Sequence, residues 1–126
     1  MLPMIHRVRT AADFARTVRS GARSGRRNVV LYGSRTADSE PSRVGFIVGK
    51  NVGNAVTRNL VKRRLRHASA EWISAHPYGY DVVVRALPRA AESDWVGLQK
   101  DFTGCMVTVV RRLDRSEAPE RVSGVS

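Results

Sequence analysis

Between Asn54 and Trp72 the chain places Arg58, Lys62 and Arg66 four residues apart, with Asn59 and Arg63 each one position on from a cation, and no carboxylate until Glu71. At about 100° per residue these five side chains share an arc of about 140° on a helix, beside a narrower apolar arc of Val61, Leu65, Ala68 and Trp72. Like charges at i and i+4 repel by a few tenths of a kcal/mol per pair. The register therefore weakens the helix and needs a reason outside the fold. A row of guanidinium and ammonium donors suits the phosphates of a polyanion. A solvated helix face is the competing reading, but such faces interleave Glu or Asp with their bases, and this one does not.

The approach to that helix holds a second, weaker signal. Gly49, Lys50, Gly53 and Asn54 bring flexible backbone, a cation and the open amides of a helix start together, so Gly53 and Asn54 are candidate phosphate-binding positions. This is not a nucleotide-binding loop. Only three residues separate Gly45 from Gly49, and Asn51 stands where Ser or Thr is required. Nothing else suggests catalysis by the protein itself. His6, His67 and His76 have neither metal-ligand spacing nor a nucleophile partner, and Cys105 sits on an apolar helix face. Asp94 and Asp101 read as charge balance. No catalytic residue and no metal ligand set is expected.

The elements that must position these groups are legible in outline. Thr10 and Asp13 cap a helix over 11–20 with Phe14 and Val18 on one face, stopped by Gly21. The β-branched and aromatic segment 27–33 is a strand, and a polar loop, 34–42, leads to a second strand, 43–50; a hairpin between the two is the expected pairing. Asn54 caps the basic helix, 55–75, which ends before His76-Pro77. The nearly unbroken apolar run 81–87 reads as a buried strand. A last helix starts from Ser93 as cap and repeats Trp95, Leu98, Phe102, Cys105, Val109 and Leu113 at helical spacing. Residues 114–126 have no period and are expected to be a disordered tail beyond a single domain, 1–113. The order α-β-β-α-β-α gives an α+β two-layer sandwich, one mixed sheet with helices mainly on one face and a parallel strand pair within 43–87. On pattern alone, Phe14 and Tyr32 belong to its core.

Composition narrows the partner. Against 11 Asp plus Glu stand 22 Lys plus Arg, a net charge of +11 on 126 residues. Nucleic acid is the leading partner and an anionic membrane surface the second. Of the basic residues 19 are Arg, which grips phosphate bidentately and stacks on bases, although a GC-rich genome supplies the same bias. Residues 1–37 hold eight Arg and one Asp, whereas residues 85–126 hold seven bases and six acids, so the binding surface belongs to the first two thirds. A single cysteine excludes an internal disulfide and fits a reducing cytoplasm. No run of 18 apolar residues exists to span a membrane.

The succession Phe14 to Gly21, Val29-Val-Leu-Tyr32, Arg43-Val-Gly-Phe-Ile-Val-Gly-Lys50, Val52-Gly-Asn-Ala-Val-Thr-Arg-Asn59 and Lys62-Arg-Arg-Leu-Arg66 closely resembles the protein subunit of bacterial ribonuclease P. The likeness runs from about residue 7 to 112. It implies a monomeric partner to a catalytic RNA, the two cutting the 5′ leader from precursor tRNA in the cytoplasm, with Mg2+ held mainly by the RNA. It also implies a left-handed βαβ crossover, against the general rule, in a fold like ribosomal protein S5 domain 2. By position, Arg58, Asn59, Lys62, Arg63 and Arg66 match the helix that faces the catalytic RNA. Phe14, Tyr32 and Lys50 match the cleft that takes the single-stranded leader, where stacking is worth about 1–3 kcal/mol per base. Two positions depart from the pattern: Leu60 replaces the third residue of the Arg-Asn-Arg signature, and Val18 stands where a second Phe is common. The alternatives are a ribosomal or other structural RNA-binding protein with no part in cleavage and, less well matched, a membrane-surface protein.

Overall fold

A strand that is apolar on both faces must sit inside a sheet, and Val82, Val83 and Val84 are all fully buried. The computed structural model, which describes residues 3–125 and the side chains of 3–19 and 21–115, places that strand accordingly. Strands β1 (Ala22–Gly25), β2 (Val29–Arg35), β3 (Arg43–Ile47) and β4 (Tyr80–Ala86) form one mixed sheet in the order β1-β2-β4-β3. β3 runs parallel to β4, as the sequence suggests, while β2 is antiparallel to both β4 and β1.

The expected hairpin between segments 27–33 and 43–50 does not form. Both of those strands pair with β4 instead, because β4, buried at every residue but Arg85, is the segment that takes the interior of the sheet. The loop 36–42 is long enough to carry the chain across the intervening strand. The hairpin that does form joins β1 to β2, and β1, Ala-Arg-Ser-Gly, has neither alternation nor β-branched residues to announce it.

Helix α1 (Ala11–Ser20) is capped by Thr10, whose Oγ1 accepts the Asp13 N–H at 3.1 Å. Helix α2 (Ala55–Ala75) is capped by Asn54, whose Oδ1 accepts the Thr57 N–H at 2.9 Å. Helix α3 (Trp95–Val125) starts one residue later than expected: Asp94 Oδ1 accepts the Gly97 N–H at 2.8 Å, while Ser93 Oγ is engaged by Asn28 Nδ2. α3 also continues to Val125, past the domain end at 113 and through most of the stretch expected to be disordered. The last buried side chain described on it is Leu113.

Alternation along the strands separates two environments. Leu31, Val44, Val82 and Val84 face α2 and α3 and join Leu65, Leu98, Phe102 and Val109 in the main core. A Cβ on Gly33 would lie 2.5 Å from Val109 Cγ1, so α3 rests directly on the β2 backbone. The opposite face carries Val30, Tyr32, Val83, Arg85 and Gly45, and α1 crosses only part of it. No helix among the described residues is long and apolar enough to cross a membrane.

Candidate nucleic-acid interface

α2 is anchored by its apolar stripe. Val61, Leu65, Ala68, Ser69 and Ile73 are buried, and Trp72, at the stripe's border, is half-buried and stacked on His76 at 4.8 Å between centroids. The opposite side is left to solvent: Asn59, Arg63 and Arg66 are exposed, Arg58 and Lys62 half-exposed. Among the described residues none of these four cations makes an ion pair, and the Arg58 Nε has no hydrogen-bond partner. The helix cation that does turn inward is Arg64, whose Nη1 donates to the Ser93 carbonyl at 2.9 Å. Leu60 is 39% exposed, an apolar side chain beside the basic row.

Two other guanidiniums are consumed by the fold. Asp81 is completely buried, and its carboxylate accepts Arg43 Nε at 3.0 Å, Arg43 Nη2 at 2.8 Å and Arg16 Nη2 at 2.8 Å. Arg43 Nη1 reaches on to Asp13 at 3.2 Å. The hydrogen bonds it donates to Asp81 hold the Arg43 guanidinium still further above its ordinary pKa, and the Thr10 hydroxyl, then Arg43 and Arg16, hold the Asp13 carboxyl below its own. A buried carboxylate without such partners would cost several kcal/mol. With them, the cluster pins α1 across the sheet.

That pinning creates a cleft. Phe14 lies against Gly45, where a Cβ would come within 2.6 Å of its ring, and it helps line an apolar hollow of about 660 Å³ with Ala11, Ala15, Val18, Phe46 and Ile47. Tyr32 is half-buried on the same face, in the cross-strand row Gly45–Val83–Tyr32–Arg23. Two strand spacings, about 10 Å, separate it from Gly45. A smaller hollow of about 190 Å³ is lined by Arg7, Phe14, Phe46, Lys62 and Arg66 among others. It joins the cleft to the basic face of α2, so Phe14, Lys62 and Arg66, which the sequence assigns to two different partners, share one wall.

Lys50 is exposed in the turn that leads into α2, where the Val52 N–H bonds the Gly49 carbonyl at 3.1 Å. Gly53 has φ +155°, and its N–H donates to the Lys50 carbonyl at 3.2 Å. With Asn54 Oδ1 committed to Thr57, these two residues shape the turn and the cap, and the amides left open to an anion are those of the first helical turn. Sequence reasoning missed Arg7, Phe46, Arg23 and Arg85. Arg85 left a trace, as the charge that interrupts the apolar run after Val84 in β4; Phe46 lies in an expected strand with no polar alternation to give its face, and Arg7 and Arg23 lie in segments without a period.

A family model described as Ribonuclease P matches residues 2–110. The ribonuclease P protein component of Kocuria rhizophila is 59% identical over 112 residues, covering 89% of this chain and 98% of that one. Its counterpart from Arthrobacter sp. strain FB24 is 52% identical over 126 residues, covering 100% and 92%. Among solved structures, the RNase P protein of Staphylococcus aureus shares 27% identity and a TM-score of 0.73, covering 82% of this chain and 94% of that one.

Proposed function

Because the chain belongs to the ribonuclease P protein family, we propose that its two joined surfaces serve the two RNAs of one reaction: α2 the catalytic RNA, and the α1 cleft the 5′ leader of precursor tRNA. The chain's role is that of an accessory subunit of an RNA-based endoribonuclease that matures the 5′ end of tRNA. A structural RNA-binding protein without a part in cleavage is not favoured by that kinship. In this reading Arg58, Asn59, Lys62, Arg63 and Arg66 neutralise phosphates of the catalytic RNA. Phe14 and Tyr32 stack leader bases, and Lys50, with Gly53, Asn54 and the open amides of α2, meets phosphate where the two surfaces begin. The RNA-binding unit is 1–113, acting as a single copy within a cytoplasmic ribonucleoprotein.

The described residues do not suit a Mg2+ ion of the protein's own. Asp81 is covered by two guanidiniums, and Asp94 and Asp101 accept backbone amides. In this reading Mg2+ is held mainly by the RNA, and the protein contributes binding and charge. The observation that carries the reading is the small hollow in which Phe14 meets Lys62 and Arg66: an aromatic platform opening directly onto an unpaired basic face. The test is reconstitution with the cognate catalytic RNA and measurement of precursor tRNA cleavage at low Mg2+. Stimulation is expected; a rate equal to that of the RNA alone would refute the reading.

A further inference from the structure

Tyr32 does not stand alone on the open face of the sheet. The guanidinium carbon of Arg23 lies 6.0 Å from its ring centroid and that of Arg85 lies 5.9 Å away. The two come from opposite sides: Arg23 is Tyr32's partner on β1, and Arg85 sits on β4, two residues along from Val83, Tyr32's partner there. Both are exposed. The carboxylates nearest in register are engaged elsewhere, Asp81 by Arg43 and Arg16 and Asp13 by Arg43, and among the described residues neither Arg23 nor Arg85 has an ion-pair partner. Arg23 is also fixed in place from behind, because Arg112 Nη1 of α3 donates to its carbonyl. Two guanidiniums without carboxylate partners, each in cation–π range of one aromatic ring, provide what a single-stranded RNA segment requires: a π surface for one base and cations for the phosphates before and after it.

We propose that Arg23 and Arg85 are substrate-contacting residues, a phosphate clamp that holds a single-stranded RNA segment on either side of the base that lies on Tyr32. This extends the leader path from Phe14 across the sheet to the β1 edge, and it rests on the reading that the α1 cleft takes the leader. A clamp of this kind grips by charge. It tolerates any base, and its contribution falls with salt.

The experiment uses the protein assembled with its catalytic RNA and measures Kd across a salt series for precursor tRNA with a long leader and for the same tRNA without one. For the long leader, Arg23→Gln and Arg85→Gln are each expected to flatten the slope of log K against log salt by about 0.7, the value for one single-strand phosphate. The leaderless slope is expected to stay as it is. Arg85→Lys, which keeps the charge, restores most of the slope. Phe14→Ala, run alongside, separates the two ideas. If Phe14→Ala leaves the leader's advantage intact, the cleft reading itself fails. If Phe14→Ala removes that advantage while both Gln variants keep the wild-type slope, the clamp is wrong. Equal losses in Arg85→Lys and Arg85→Gln would also overturn it, because planarity and not charge would then be what counts.

Discussion

Arginines in this chain divide into those the fold uses and those it leaves over, and the division predicts opposite phenotypes. Arg58 and Arg66 have no described ion-pair partner. Arg58→Ala and Arg66→Ala are expected to weaken RNA affinity and to flatten its salt dependence by about 0.7–0.9 for each phosphate no longer neutralised, with the melting temperature unmoved. A preserved salt slope would take them out of the interface. Asp81→Asn inverts the pattern. It leaves Arg43 and Arg16 beside a neutral group at the sheet, and breaking a buried pair costs about 3–5 kcal/mol. Because Arg43 and Arg16 keep 28% and 52% side-chain exposure and can be rehydrated, we expect the lower end, about 3 kcal/mol by urea denaturation. A loss below about 1 kcal/mol, the scale of a surface pair, would show that the cluster does not pin α1. Residue type alone gives no hint of this split. Arg43 and Arg58 look equivalent in the sequence, and only the burial of Asp81 distinguishes them.

Elements are legible in the sequence where a period or a cap is present. Thr10 and Asn54 cap α1 and α2 as expected, and the stripe Val61, Leu65, Ala68 is buried as expected. Strand pairing is harder to see. The hairpin expected between β2 and β3 treats chain neighbours as sheet neighbours, whereas the triple valine of β4 takes the interior of the sheet and pushes β2 and β3 to either side. The cleft depends on a position that sequence cannot value without coordinates. Gly45 leaves room for the Phe14 ring, and an added Cβ would sit 2.6 Å from it. Gly45→Ala should therefore displace Phe14, costing about 1–3 kcal/mol of stability by overpacking and reducing affinity for leader-bearing substrate more than for leaderless tRNA. Competition binding with the two substrates checks this, and an equal loss for both would place Phe14 in the core, as its pattern alone suggests.

For the whole molecule, the proposed α2 and leader-cleft surfaces meet in one hollow, and if both bind RNA as proposed their meeting has a thermodynamic signature. Phe14 and Arg66 line the same small hollow, so a leader nucleotide seated there touches an aromatic ring and a guanidinium at once. Removing either should blunt the effect of removing the other. Residues that share a partner typically couple by about 0.5–3 kcal/mol, whereas independent sites add to within about 0.3–0.5 kcal/mol. A double-mutant cycle of Phe14→Ala with Arg66→Ala, read as binding of leader-bearing precursor tRNA to the assembled enzyme, is expected to show coupling within that range. Arg63 provides the control. It is exposed on the same helix but lies about 60° further round than Arg66 and does not line the hollow, so Phe14→Ala and Arg63→Ala should add. If both cycles are additive, the leader cleft and the basic helix are separate sites that merely share a protein. Coupling in the first cycle alone would show that the net charge of +11 is directed along one path, from the catalytic RNA on α2, past Phe14, onto the open sheet.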